Sequence, residues 1–450
     1  MSSLYDFATW EPLLRLLRTA HAERLAAPGG FVAGSIGRGW SSVVTRASGR
    51  REEFDAIERV REALTAAGVD DVSFVVEIPP SGKAVLHVFD PGPAVDAPLG
   101  NAHPGALTLV EGAVPEPWRR LPEPSPGARP APSVDLALLE RTLRERIPEA
   151  IGATEAEIAA AEERLGVALP EELKVLYRVT RARWEDWGED YDVADRVFDA
   201  VGFELGSLDR LAVGDKWRPS FRWEQAATKA VQTLPDAAVQ DLVDSPGWIV
   251  IGDSGGGDRV AVDLTPGPRG HLGQIIVLDH EQSIGACLFA ESLTELVTGP
   301  ERDWYGGHRR DKPPVTAMIH HQALRSVEAV AHPDLEVLQF GVWDEEPFSL
   351  APVLGLPRLR TLTAYPGTLA DPLEIGRLTG LEFLQLPPAD WRVLLDVGAV
   401  PRSLAAAAIT TRGDEDPRLV YALANELLAL RDRPPVTETL IEGELGPLPA

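Results

Sequence analysis

The chain has 450 residues and one cysteine, Cys287, which excludes an internal disulfide and every Cys-rich zinc site. Lysine is nearly as scarce. Only five of the 43 basic residues are Lys, and with abundant Ala, Pro and Gly this reads as the coding bias of a high-GC bacterium. Positive charge is short overall: 69 acidic residues leave a net charge of −26, which repels phosphate backbones and anionic lipid and so argues against general nucleic-acid or membrane-surface binding. The same charge favours solubility and attracts a basic protein. Long apolar runs are missing too. The start, MSSLYDFATWEPLLRLLRTAHAERL, has neither the basic lead nor the unbroken apolar stretch of a secretory signal, and no later run approaches a membrane span. A reducing cytoplasm is the expected setting.

What is present is richest between residues 154 and 177. Thr154 and Glu157 have the spacing of a capping box, in which each side chain satisfies a backbone N–H at a helix start. Ile158, Ala161 and Leu165 then share one face, and Gly166 supplies the left-handed stop. Pro170 suits the start of a second helix, where Leu173, Leu176 and Tyr177 recur at helical spacing. The spacing predicts two short helices joined by a tightly specified corner.

The length implies several domains. Residues 1–113 read as two helices, near Trp10 to Leu25 and Glu52 to Ala66, then the strands VSFVVEI and KAVLHVF across a Pro-Pro-Ser-Gly turn, a small α+β domain. Between the helices, Gly34 to Gly39 resembles a nucleotide loop only superficially, because no Lys-Ser/Thr closes it; a turn or bulge is expected. Residues 114–132 are dense in proline and predict a semi-rigid linker. The domain at 133–299 opens with the helix DLALLERTLRERI and the two-helix corner. It continues through an acidic, Trp-bearing stretch into the strands WIVIG, DRVAVDL and GQIIVLD, then the helix AESLTELVTG. A connecting segment, 300–332, leads to a region at 333–450 that repeats. Leu335, Leu359, Leu381 and Leu404 each begin an L-x-x-L-x-apolar run, the last degenerate, at intervals of 24, 22 and 23 residues. This spacing resembles leucine-rich repeats without their usual Asn, and predicts a short, irregular solenoid closed by the helix after Asp416-Pro417.

Residues EAEIAAAEERLGVALPEELKVLYRVT and WIVIGDSGGGDRVAVDLTPGPRGHLGQIIVLDHE together resemble the SUKH superfamily, which includes fungal cell-wall-synthesis regulators and many bacterial toxin-immunity proteins. Glu162, Leu165-Gly166, Leu169-Pro170 and Tyr177 stand at matching positions, as do Trp248, Gly252, Gly257-Asp258, Asp263 and Gly273-Gln274. The resemblance implies an α+β domain with a curved, mainly antiparallel sheet that binds proteins, and brings no catalytic residues with it. One departure is Arg178 to Arg183 followed by Trp184, where the family often has an Asn/Gly-rich polar turn. It points to a different partner at that surface.

Candidate chemistry is thin. Gly252-Asp253-Ser254-Gly255-Gly256 is identical to the nucleophile loop of chymotrypsin-like proteases, but that fold needs His and Asp before the Ser, and no His lies between His103 and His271. A glycine turn between two strands explains the residues. Asp253, Asp258 and Asp263 lack EF-hand spacing and are expected in a solvated turn. Asp279-His280-Glu281 follow a strand, where neighbours diverge, so they are not expected to converge on a metal. His308, His320, His321 and His332 read as surface residues. Neither metal nor cofactor is expected.

The candidate partner surface is Trp184, Glu185, Asp186, Trp187, Glu189, Asp190, Tyr191 and Asp192, with Trp217, Phe221 and Trp223 as extensions or core. Rigid aromatics anchor interfaces, and an acidic field speeds encounter with a basic partner. The expectation is a non-enzymatic protein-binding protein: an immunity protein against a toxin, such as a basic nuclease, or alternatively a scaffold for cell-envelope or signalling proteins. A hydrolase using Ser254 is the third class.

Overall fold

The computed structural model describes residues 3–43, 50–97, 100–187, 191–216, 218–300, 315–322, 324–413 and 415–446. The protein is α+β, and it divides into two compact units. One comprises Met1–Ala113, Arg222–Thr228 and Val315–Ala450; the other comprises Val114–Phe221 and Lys229–Pro314.

In the first unit, α1 (Phe7–Ala20) and α2 (Arg50–Ala67) pack on a sheet begun by β1 (Val32–Gly37), β2 (Trp40–Ser41), β3 (Asp71–Glu77) and β4 (Lys83–Asp90). Trp10 anchors this core, edge-on to Phe74 at 5.3 Å, with its indole N–H donated to Leu4 O at 2.7 Å. The Gly34–Gly39 stretch is not an isolated turn. Gly34 to Gly37 lie within β1, and Arg38-Gly39 form the hairpin to β2. Gly34 packs closely there, since a Cβ would lie 3.0 Å from the Phe74 ring and press on it. A short strand, β5 (Leu107–Thr108), follows.

The second unit starts at Val114, where a semi-rigid linker over 114–132 was expected, and these residues pack on that unit. The Trp118 indole is buried and donates to Pro219 O at 2.9 Å, Glu123 N donates to Gln240 Oε1 at 2.8 Å, and Ser125 Oγ donates to Pro266 O at 2.7 Å. Proline leaves few donors to satisfy, so an extended run can pack on its own unit through scattered side chains and carbonyls. Next come α3 (Leu136–Arg146), α4 (Glu155–Leu165), α5 (Glu171–Val179), α6 (Trp184–Trp187) and α7 (Tyr191–Val201). They lie with a sheet of β6 (Glu204–Leu205), β7 (Ala212–Val213), β8 (Trp248–Asp253), β9 (Arg259–Asp263), β10 (Gln274–Leu278) and β11 (Cys287–Ala290), closed by α8 (Leu293–Thr298). The order is β11-β10-β9-β8-β6 with β7 also on β8, antiparallel throughout.

The rest of the first unit is a parallel ladder: β12 (Thr316–Ile319), β13 (Val337–Phe340), β14 (Thr361–Ala364), β15 (Phe383–Leu386) and β16 (Ala406–Ile409). The repeat leucines Leu335, Leu359, Leu381 and Leu404 each precede a strand by two residues, and the register aligns Val337, Thr361, Phe383 and Ala406. Leu338, Leu362, Leu384 and Ala407 bury one face with α9 (Pro417–Ala429), whose Tyr421 stacks on Phe89 at 4.3 Å.

On the opposite face, the Arg222–Thr228 segment is seated by Trp223, parallel to Phe383 at 6.2 Å, and by Ala227 O, which accepts from Thr361 Oγ1 at 2.7 Å. Asp96 accepts from Trp223 N at 2.9 Å. Burial together with the Asp96 charge pushes neighbouring Glu224 up to about 7. Trp223 is therefore core.

The division read from the sequence, with 1–113 and 333–450 as separate domains, differs from this arrangement because two strands cross between them. β17 (Thr437–Glu444) pairs antiparallel with β4 along all eight residues, giving the order β17-β4-β3-β1-β2, while β5 pairs with β16. Neither pairing leaves a local sequence signal.

Candidate functional site

The two-helix corner forms as its residues require. Thr154 N donates to Glu157 Oε2 at 2.8 Å, Glu157 N donates to Thr154 Oγ1 at 3.2 Å, and Gly166 sits at φ 69°. Glu162 then accepts from Leu169 N at 2.8 Å and pairs with Lys174 at 3.0 Å, fixing the corner. From α5, buried Glu172 accepts from Thr294 N at 2.7 Å and Leu293 N at 3.3 Å, so it caps the start of α8 from inside the core. The Tyr177 hydroxyl donates to Gly206 O at 2.6 Å, and Arg164 donates to Leu208 O and Leu211 O at 2.6 and 2.9 Å. The resembling residues thus act as fasteners between helices and sheet.

At the place where the chain departs from the resembling family's polar turn, Ala182 takes a left-handed conformation at φ 50°, one that Asn or Gly adopts more readily. This bend directs Trp184 outward, 52% exposed. Trp184 borders a cleft of about 1420 Å³ lined by the 181–186 segment, Val197 and Phe198 of α7, β6, the Ser207–Leu211 turn and the Gly252-Asp253 and Arg259 ends of β8 and β9. Phe198, 37% exposed, and the apolar Leu205, Leu211 and Ile251 give it a hydrophobic component.

Its charges are unevenly matched. Arg181 holds Asp186 through two 2.6 Å hydrogen bonds, which lower the Asp186 carboxyl below its ordinary range. Arg183 pairs with Glu157 at 3.0 Å, and Arg259 pairs with Asp253. Glu185, Asp195, Glu204 and Asp209 have no ion-pair partner among the described residues, against Arg210 alone. A hydrogen bond from Ser207 lowers Asp209, keeping it ionised. The cleft therefore offers two exposed aromatics beside surplus negative charge.

The expected partner surface is only partly assembled here. Trp184, Glu185 and Asp186 line the cleft, although Asp186 is committed to Arg181; Asp192 is exposed on α7. The backbones of Trp187 and Tyr191 belong to α6 and α7, while Glu189 and Asp190, like Trp217, lie outside the described residues. Phe221 packs against Trp118 at 5.8 Å. The contributions of Phe198, Glu204, Asp209 and Arg210 were missed, because their proximity depends on the β6–β8 pairing.

Among the described residues, Ser254 in the glycine turn after β8 is tied to its own loop. Ser254 Oγ accepts from Gly256 N and Asp258 N at 3.1 and 3.2 Å, and no hydrogen bond joins it to a histidine among the described residues. The three aspartates separate, with two buried rather than solvated. Asp253 meets Arg259. Asp263, fully buried, accepts from Gln274 Nε2 at 2.9 Å and Thr265 N at 2.7 Å, and burial still pushes it up to about 6. Asp258 instead accepts from His280 Nδ1 at 2.7 Å, which raises that imidazole above its ordinary range. The expected divergence of Asp279 and His280 does not occur. Both follow the end of β10 in a turn, where strand alternation no longer applies, and ligand atoms of Asp258, Asp279 and His280 come within 4.8 Å of one another.

A corner of two short helices fastened to an antiparallel sheet defines an α+β module, and among the described residues no helix is long and apolar enough to cross a membrane. Residues 152–299 match the SMI1 / KNR4 family (SUKH-1), so the chain carries a SUKH domain. Similar proteins include the "Glucan synthesis regulatory protein" of Neurospora crassa, 41% identical over 59 residues, 13% of this chain and 11% of that protein. The "Cell wall biosynthesis/cell cycle regulator smi1" of Schizosaccharomyces pombe is 37% identical over 59 residues, 13% of this chain and 12% of the other. A "KNR4/SMI1 homolog" of Yarrowia lipolytica is 41% identical over 49 residues, 11% and 7% of the two chains. The aligned stretches thus span about a tenth of each relative's length.

Proposed function

We propose that this chain is a non-enzymatic, cytoplasmic regulator that works by binding another protein in the SUKH-domain cleft. The observation that carries the reading is the pairing of exposed Trp184 and Phe198 with cleft carboxylates that have no ion-pair partner among the described residues. Such a surface suits a basic partner with an apolar side chain to bury, and a toxin domain that binds nucleic acid has that chemistry. In this reading the chain is an immunity protein. Its test is rescue of cells expressing the last domain of a toxin encoded beside it, with affinity measured on the purified pair. Trp184→Ala with Phe198→Ala should weaken binding at least 30-fold, as expected for two anchors. It should leave the unfolding midpoint unchanged, and affinity should fall as salt rises. Failure to rescue against any adjacent toxin would sink the immunity reading.

A second reading is a regulatory scaffold for cell-envelope or signalling proteins, favoured by the names of the fungal relatives and by the parallel ladder of the first unit, which we read as a short leucine-rich-like solenoid. That reading expects endogenous envelope proteins as partners. Substitutions at Gln339 and Gln385, on the strand face away from the leucine core, should then disrupt binding while the cleft variants do not.

A further inference from the structure

The β9–β10 register pairs Arg259 with Leu278, so the next positions along the two strands are Asp258 and Asp279. Two carboxylates facing each other across neighbouring strands repel, and burying one raises the cost. Asp258 is 2% exposed. His280 closes the third side, with its Nδ1 2.7 Å and its backbone N 3.1 Å from Asp258 Oδ1. The turn is held in shape by Glu281 N donating to Asp279 Oδ1 at 2.8 Å and by Gln282 N donating to Asp279 O at 3.2 Å. Gly257, at φ 107°, approaches the imidazole where a Cβ would come within 3.4 Å of the ring.

Ligand atoms of the three side chains all lie within 4.8 Å of one another. Two carboxylates and one imidazole form a mixed oxygen and nitrogen donor set, suited to borderline first-row dications and leaving coordination positions for water.

We propose that Asp258, Asp279 and His280 bind a first-row divalent cation, zinc or manganese. The bound ion would tie the β8–β9 turn to the turn after β10. The β8–β9 turn connects the Asp253 and Arg259 positions of the cleft, so the site is a clamp on the cleft's edge and does not depend on which partner binds there.

The experiment uses the full chain stripped of metal, titrated with Zn²⁺ by calorimetry and with Mn²⁺ by loss of its free-ion electron paramagnetic resonance signal. One equivalent of at least one of these ions should bind. Asp279→Asn and His280→Gln, neither at a fully buried position, should each weaken that binding at least tenfold, and Cys287→Ser, which removes the only thiol, should not. Absence of binding by both ions, binding that survives both substitutions, or preference for Ca²⁺ or Mg²⁺ would each overturn the proposal.

Discussion

Replacing Glu224 by Gln removes a carboxyl that folding buries beside Asp96, and the consequence depends on pH in a defined direction. Burial first, and the Asp96 charge second, raise Glu224 from 4.5 to about 7, with Arg222 opposing. Below about pH 4.5 the carboxyl holds its proton in both the folded and unfolded chain. Between 4.5 and 7 the unfolded chain releases the proton while the folded chain keeps it, so stability falls as pH rises; above 7 the full loss has accrued. At about 1.4 kcal/mol per tenfold change in proton affinity, the ceiling is about 3.5 kcal/mol. The side chain is partly exposed, and screening reduces the expected effect to about 1.5–2 kcal/mol. Urea unfolding followed by tryptophan fluorescence should therefore show Glu224→Gln more stable than the parent at pH 8 and within about 0.8 kcal/mol of it at pH 5. Equal stabilisation at both pH values, or a less stable variant at pH 8, would refute the reasoning.

Glu172→Ala strands two backbone N–H groups in the core, and should cost about 2–4 kcal/mol in chemical unfolding; a loss below about 1 kcal/mol would contradict the capping role. Gly252→Ala would place a Cβ 2.4 Å from Glu204 O and 2.5 Å from the Phe203 ring, so it should loosen β6 and lower stability by about 1–3 kcal/mol, read as a drop in Tm. An unchanged Tm would mean that β6 does not pack there as described.

Features encoded within a few residues were legible. The capping box at Thr154, the stop at Gly166 and the strands around Ile249, Val260 and Ile275 all lie where local spacing places them, because each depends on contacts close in sequence. The repeat leucines likewise mark β13 to β16. What failed was long-range. Nothing in TETLIEGE reveals that it pairs with KAVLHVFD, hundreds of residues earlier, and nothing around Trp223 shows that it belongs against Phe383. The candidate surface suffered in the same way. Trp184 and its acidic neighbours were readable as an aromatic and charged cluster, but the other wall of the cleft arises only when β6 meets β8. Asp258 and Asp279 were seen separately; their apposition is a matter of strand register.

The pairing of β17 with β4 also sets an order of events during synthesis. All of Val114–Phe221 and Lys229–Pro314 is translated before Thr437–Glu444, so the SUKH-bearing unit can fold while β4 still has an open edge. The first unit must hold that edge unpaired for hundreds of residues, exposed to pairing with other chains, until the ribosome has delivered β17. A ribosome stalled before residue 437 would therefore leave a folded SUKH-bearing unit attached to an unfinished and association-prone one.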